Sequence, residues 1–370
     1  VLKVLRDDGP TSRTRLSAIT GLSPTTITKT VAPLIELGLL TERADEYGGL
    51  GRPALSLIPV PDALSVCGVQ IGVGRFRIGM TDARGAVRSL RTSAFDPALP
   101  PAAVLDLIAS EISDVLGSDG GAPCIGVGVG APGPVDAARR TNLLAVNLGW
   151  HDVAVSDHLE DRLGLPVVTD HNVRSFALGE ARFGDHGAES IAYVYVRAGV
   201  GFGLAVRGEP FSGGTGTGGE SYLGHLRVVE DGLLCSCGAR GCLDTVVAEP
   251  YLAPVISRLR GRPAGTEVMR DLDELVATGV DGAAELQARI VGHLADALAT
   301  VANLFTPDLV LVGGTLSALS PESLELLDRQ TRDRIFPLLR ESLRIETADG
   351  GDEALVRGAA AIALEVLHYS

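Results

Sequence analysis

Short apolar runs, separated by amphipathic stretches, restrict the fold of this chain more than any other feature. They are VCGVQIGV (66–73), CIGVGVGA (124–131), PVVTD (166–170), IAYVYVR (191–197) and LVLVGG (309–314). Such runs read as strands buried on both faces. Helical periodicity at 102–116, 173–183, 282–304 and 354–367 lies between or after them. Strands alternating with helices imply an α/β architecture. No apolar run approaches the roughly 18 residues of a membrane span, and the start carries no secretory pattern. A cytoplasmic protein without a membrane partner is therefore expected. The first residue is Val, so residues upstream are also expected.

Residues 1–60 read differently, as short helices and a hairpin closed by Pro59 and Pro61. The net charge of −14 at first argues against nucleic acid. Its distribution points the other way. Residues 1–60 carry seven bases (Lys3, Arg6, Arg13, Arg15, Lys29, Arg43, Arg52) and six acids (Asp7, Asp8, Glu36, Glu42, Asp45, Glu46), leaving −15 for the rest. Between Gly9 and Ile35 there is no acid.

Within that window RLSAITGLSPTTITKTV (15–31) fits a helix-turn-helix. Leu16 and Ile19 give the first helix an apolar face, and Gly21 suits the turn. Ser23 is a good N-cap, with Pro24 at the first helical position. Ile27, Val31 and Leu34 recur at helical spacing, leaving Thr25, Thr26, Thr28 and Lys29 outward, as on a recognition helix. Pro33 should kink this helix. Strands at 37–40 and 55–58 would frame a wing, YGGLGRPA (47–54), whose Arg52 suits a minor groove. Arg13, Ser23, Thr25, Thr26, Thr28, Lys29 and Arg52 are the candidate DNA contacts. An interaction module without a DNA role is the bland alternative.

Cys67 and Cys124 sit in strand-like runs and read as buried thiols. Cys235, Cys237 and Cys242, with His225 upstream, supply three thiolates and an imidazole, enough for a closed tetrahedral metal site. A redox-active or merely buried cysteine cluster is the alternative.

Further motifs follow in order: GAPGPVD (130–136), NLGW (147–150), ALGE ending at Glu180, GH (224–225), CSCGARGCLD (235–244) and NLFTPDLVLVGG (303–314). With the head and its GRP wing, they make the chain resemble the ROK family (repressors, open reading frames and kinases) over essentially its whole length. The resemblance implies an actin-like, sugar-kinase-type body with a ligand cleft between two α/β lobes. The divisions expected are a winged helix-turn-helix at 1–60, a first lobe at 61–185 and a second lobe at 186–370. The last helix should pack back on the first lobe. The resemblance also makes the metal a structural zinc held by His225, Cys235, Cys237 and Cys242.

Members of this family are sugar kinases or sugar-responsive regulators. Gln70 stands where the family's first phosphate loop has Asp, and Arg197 where its second has Gly. His171-Asn172 replaces its Asn-Asp pair, and an Asn amide cannot act as general base. Asp170 is an adjacent acid, but the helix register makes it a poor substitute. No catalytic residue and no ATP cofactor are therefore expected. The family's sugar-side positions become Asn147, His171, Asn172, Tyr222, His225 and Asp244, with Glu220 near Tyr222. The expected protein is a homodimeric or homotetrameric repressor that reads an inverted-repeat operator and answers to a sugar-like effector. The alternatives are a divergent sugar kinase bearing a head, and a regulator controlled by a protein partner or by no effector.

Overall fold

The computed structural model describes residues 1–44, 55–213, 221–265 and 267–370. The head begins with α1 (Leu2–Asp7), β1 (Thr11–Ser12), α2 (Arg13–Thr20) and α3 (Pro24–Glu36), followed by β2 (Leu40–Ala44) and β3 (Leu55–Pro59). Gly21, at φ 69°, closes α2, and the Ser23 hydroxyl accepts the Thr26 N–H, so the turn and cap read from the sequence are present. α3 runs unbroken through Pro33 to Glu36.

Leu5, Leu16, Ile27, Val31, Leu40 and Leu57 form the head's core. Two expectations need correction. Ile19 is 44% exposed, because Leu5 from α1 and Leu57 from β3 fill the space against Leu16 instead. The first wing strand begins at Leu40, because Leu37 and Gly38 are consumed in ending α3: Gly38 takes φ 73° and the Leu39 N–H bonds back to the Leu34 carbonyl. Residues 47–54, including Arg52, lie outside the described residues.

The body carries two sheets built on one plan. The first contains β4 (Ser65–Gly72), β5 (Arg75–Asp82), β6 (Val87–Ala94), β7 (Cys124–Ala131) and β10 (Val167–His171). Its order is β10-β7-β4-β5-β6, parallel up to β4 and antiparallel beyond. α4 (Pro101–Ser118) precedes β7. A small ribbon of β8 (Asn142–Ala145) and β9 (Trp150–Val153) and then α5 (Val155–Leu163) precede β10. α6 (Asn172–Phe183) leaves β10 directly.

The second sheet contains β11 (Ser190–Val196), β12 (Val200–Val206), β13 (Glu209–Pro210), β14 (Leu309–Gly314) and β15 (Arg344–Thr347), ordered β13-β12-β11-β14-β15. Again the hairpin partner is antiparallel while β14 and β15 are parallel to β11. α7 (Asp244–Val247), α8 (Glu249–Arg260), α9 (Val268–Ala277) and α10 (Ala283–Phe305) precede β14, and α11 (Pro321–Arg332) precedes β15. α12 (Gly351–Ala363) ends the fold, continuing as a π-helical turn at Leu364–His368. Among the described residues no helix is long and apolar enough to cross a membrane.

The alternating glycines of the apolar runs explain how these layers pack. In a strand, every second residue shares a face. On β4 and β7 one face carries Cys67, Val69, Ile71, Val127 and Val129, which pack with Val104, Ile108 and Ile112 of α4. The other face carries Gly68 and Gly128 with Val66 and Gln70 alongside, and α12 lies on the glycines. A Cβ on Gly68 would sit 2.3 Å from the Val356 carbonyl oxygen, and one on Gly128 would sit 2.0 Å from that of Ala359. α12 crosses α6 equally closely, where a Cβ on Gly179 would meet the Gly358 Cα at 2.7 Å.

The other end of α12 holds the head. Glu365 accepts from Arg6 at 2.5 Å and Arg182 at 3.2 Å, and pairs with Lys3 at 3.1 Å. Arg182 also reaches Asp7 at 2.9 Å, and Arg6 stacks 4.6 Å over the Tyr369 ring.

Gly358→Ala would place a methyl 2.8 Å from the Ser175 carbonyl oxygen, and its three nearest neighbours would all be backbone atoms. We expect a loss of about 1–3 kcal/mol in chemical denaturation, the usual cost of overpacking. Gly117→Ala, near the end of α4 with nothing within 4 Å, should instead leave stability unchanged or raise it.

Candidate functional site

Two hairpin turns face each other across a cleft of about 750 Å³. One joins β4 to β5 at Val73 and Gly74; the other joins β11 to β12 at residues 197–199. The carboxyl end of β10 delivers His171 and Asn172 to the same space, as strand ends in open α/β sheets commonly do. Asn147, Tyr222, His225 and Asp244 line it as well. The structure thus brings together the described members of the sequence-derived effector set. Glu220 lies outside the described residues.

These groups differ in how far they are committed. Asn147 Nδ2 donates to the Ala198 carbonyl at 3.2 Å. His171 is buried and, among the described residues, its Nδ1 has no hydrogen-bond partner. Burial, then the Arg174 charge, push its imidazole down to about 3, so it faces the cleft as a neutral ring. Tyr222 is half exposed. Asp244 Oδ1 accepts the Val200 N–H at 2.7 Å, and burial raises this carboxyl above its ordinary value. Trp150, which opens β9 just after Asn147, is a core residue at 1% exposure.

The wall where a phosphate loop would lie is closed by side chains. Gln70 is buried, donates to the Ile71 carbonyl at 2.8 Å and accepts from Arg77 at 2.6 Å. Arg77 is held in turn by Asp352 at the start of α12, whose other oxygen accepts from Thr92 at 2.9 Å. Arg197 lies 3.6 Å from Glu249. Asp170 is no free base: it is buried against Arg174, with Arg139 at 3.5 Å, and it accepts the His171 N–H at 2.6 Å. Reasoning from the sequence missed Arg75, Arg77 and Glu249. The available signal was Arg-Phe-Arg after the first turn, since residues two apart on β5 lie opposite Gly72 and Gln70.

Beside the cleft, the ligating atoms of His225, Cys235, Cys237 and Cys242 all lie within 4.8 Å of one another. Hydrogen bonds from the Cys235 N–H to the Ala239 carbonyl (2.7 Å) and from the Gly238 N–H to the Cys235 carbonyl (2.9 Å) fold this loop tightly. Cys237 Sγ is 3.7 Å from Cys242 Sγ, and Cys235 Sγ is 3.7 Å from His225 Nδ1. Zinc–sulfur bonds of ~2.3 Å in a tetrahedron put sulfurs about 3.8 Å apart, so the donor set fits a closed metal site. Burial and the neighbouring thiols hold Cys242 up at about 12, while hydrogen bonding, led by the Ala239 amide, draws Cys237 down. A bound cation would favour the thiolate at each.

On the head, Thr25, Thr26 and Lys29 are exposed on the first turns of α3. Ser23 serves as the helix cap, and the Thr28 hydroxyl donates to the Pro24 carbonyl. Arg13 pairs with Glu42 of β2 at 2.8 Å.

The chain's relatives fit both parts. The ROK family profile matches residues 66–366, and a winged helix-turn-helix DNA-binding profile matches residues 1–41. A xylose repressor of Caldicellulosiruptor bescii is 27% identical across 98% of this chain and 94% of its own length. A glucokinase of Streptomyces coelicolor is 30% identical across 68% of this chain and 81% of its own. The crystal structure of a ROK family transcriptional regulator, a homolog of the E. coli Mlc protein, shares the fold with a TM-score of 0.80. It is 24% identical over 97% of this chain and 93% of that one. The chain belongs to the ROK family and carries a winged helix-turn-helix at its N-terminus.

Proposed function

We propose that this chain is a DNA-binding transcriptional repressor, responsive to a sugar or sugar-like effector in the cleft and without kinase activity. The observation that carries this reading is the joining of a DNA-binding head to a ROK body, an arrangement matched along nearly the whole chain by relatives named xylose repressors. The glucokinase likeness favours a kinase as the second reading. Against it, Gln70 is locked to Arg77, Asn172 offers no base, and Asp170 is consumed by Arg174.

As repressor, the protein would act in the cytoplasm as a homodimer or homotetramer, its paired heads meeting two halves of an inverted repeat. Thr25, Thr26 and Lys29 are then the accessible groups of the recognition helix, with Arg13 and Thr28 beside them and Arg52 of the wing in the minor groove. The effector would be held by Asn147, His171, Asn172, Tyr222, His225 and Asp244, with Glu220 adjoining. The metal is zinc in a structural role, because four protein ligands leave no open position. It would fix His225 and the loop carrying Asp244 at the cleft wall.

Retention of genomic fragments by the purified chain, with and without a sugar panel at two salt concentrations, tests the regulator. We expect specific binding to a palindromic site, changed by one sugar; weak binding that salt abolishes would count against it. Lys29→Ala should weaken binding evenly across sequences and reduce the salt slope by about 1, as loss of one phosphate contact does. Elemental analysis should find one zinc per chain. Cys242→Ser should lose it and unfold at lower temperature, whereas full retention of zinc would contradict the assigned ligand set.

A further inference from the structure

The cysteine loop holds the most accessible sulfur in the chain. Met80 and Met269 are buried, as are Cys67, Cys235 and Cys242, and Cys124 is partly buried. Among the described residues that carry sulfur, Cys237 alone is exposed. It also lines the cleft, beside Ser236 and His225. A small solute entering the cleft therefore reaches this sulfur before the other two of the cluster. Reactive cysteines are those that solvent can reach in this way.

A second thiol stands beside it. Cys237 Sγ lies 3.7 Å from Cys242 Sγ, whereas Cys235 Sγ is turned to His225 Nδ1 and the Ser236 hydroxyl, at 3.7 and 4.0 Å. The two partners differ in the room around them. Gly241, just before Cys242, takes φ 74°, and a Cβ there would lie 1.8 Å from the Val229 carbonyl oxygen. Gly238, just after Cys237, takes φ 91°, and a Cβ there would meet nothing within 4 Å. The loop is thus packed against backbone on the Cys242 side and open on the Cys237 side. A disulfide needs its sulfurs ~2.05 Å apart, and the approach from 3.7 Å falls to Cys237.

We propose that Cys237 is a site of oxidation by hydrogen peroxide, and that Cys242 resolves the product to a disulfide. Cys237 Sγ, as thiolate, attacks one peroxide oxygen and breaks the O–O bond; a sulfenic acid forms and hydroxide leaves. Cys242 Sγ, also as thiolate, then attacks that sulfur, forming the S–S bond and expelling a second hydroxide. In sum, each sulfur gives up one electron and the peroxide accepts both. The consequence rests on the structural-zinc reading above. The new bond removes two of the four metal-ligating side chains, so His225 and the loop carrying Asp244 would lose what fixes them at the cleft wall.

Peptide mapping of the full chain after treatment with hydrogen peroxide, with released zinc read by a chromogenic chelator, tests this. Cleavage after arginine yields peptide 228–240, which holds Cys235 and Cys237, and peptide 241–258, which holds Cys242. We expect the two peptides to become joined through Cys237, zinc to be released in proportion, and dithiothreitol with added zinc to reverse both changes. Cys237→Ser should abolish the joined peptides, whereas Cys124→Ser should leave them in place. Thermal unfolding verifies that each variant is folded. Should Cys237→Ser not fold, fragmentation of the joined peptides from the unaltered chain identifies the cysteine that carries the bond. A disulfide confined to 228–240, a bond at Cys235, oxidation of Cys237 to sulfinic acid without joined peptides, or thiols left intact by peroxide overturns the proposal. Joined peptides from a chain that held no zinc beforehand would support the thiol pair and overturn the metal reading alone.

Discussion

The packing of α12 against bare backbone is the constraint from which the other layers take their positions. The helix lies on the glycine face of β4 and β7 and crosses α6 at Gly179 and Gly358, so it stands closer to sheet and helix than side chains would allow. That closeness fixes α6, which in turn meets the second sheet where Gly201 and Gly203 admit Val173. The two sheets are therefore registered to each other through a pair of interior helices, and the cleft opens where their hairpin turns come into opposition. Close-packed interiors transmit displacement instead of absorbing it.

Electrostatics divides the molecule along the same line. Asp352 anchors the cleft end of α12 through Arg77, and Glu365 anchors the far end to Arg6, Lys3 and Arg182. One helix thus carries a carboxylate near each end that reports to a different part of the protein. Glu365 is largely buried and is approached by three cations, so its contribution exceeds that of exposed surface pairs. Arg77 and Asp352 thus place one end of α12 at the cleft, while Glu365 beyond its other end meets the head.

Much of this was legible in the residues. The apolar runs gave strands, and their Gly-Val alternation held the information that one face must receive another backbone. The Gly21–Ser23–Pro24 sequence located the turn and cap of the recognition helix. The spacing Cys235-x-Cys237-x4-Cys242 located the metal cluster. What escaped was set by contacts distant in sequence. Ile19 has the same local pattern as a core residue, and only the arrival of Leu5 and Leu57 excludes it. The shift of the first wing strand depends on Gly38 ending α3, a choice between helix termination and strand entry that four residues do not decide. Arg6 and Glu365 lie 359 positions apart, and Gln70 meets Arg77 only because β4 and β5 pair in that register.

The docking of α1 on Glu365 and Tyr369 also bears on how the protein is made. Synthesis releases the head before those residues. Arg182 and Glu209, which also meet α1, come earlier than Glu365 and Tyr369. A chain ending anywhere in α12 lacks Glu365 and Tyr369 and with them these contacts to Arg6. The seat of α1 is thus assembled from residues far apart in the order of synthesis, and it forms only once Glu365 and Tyr369 have joined Arg182 against the head.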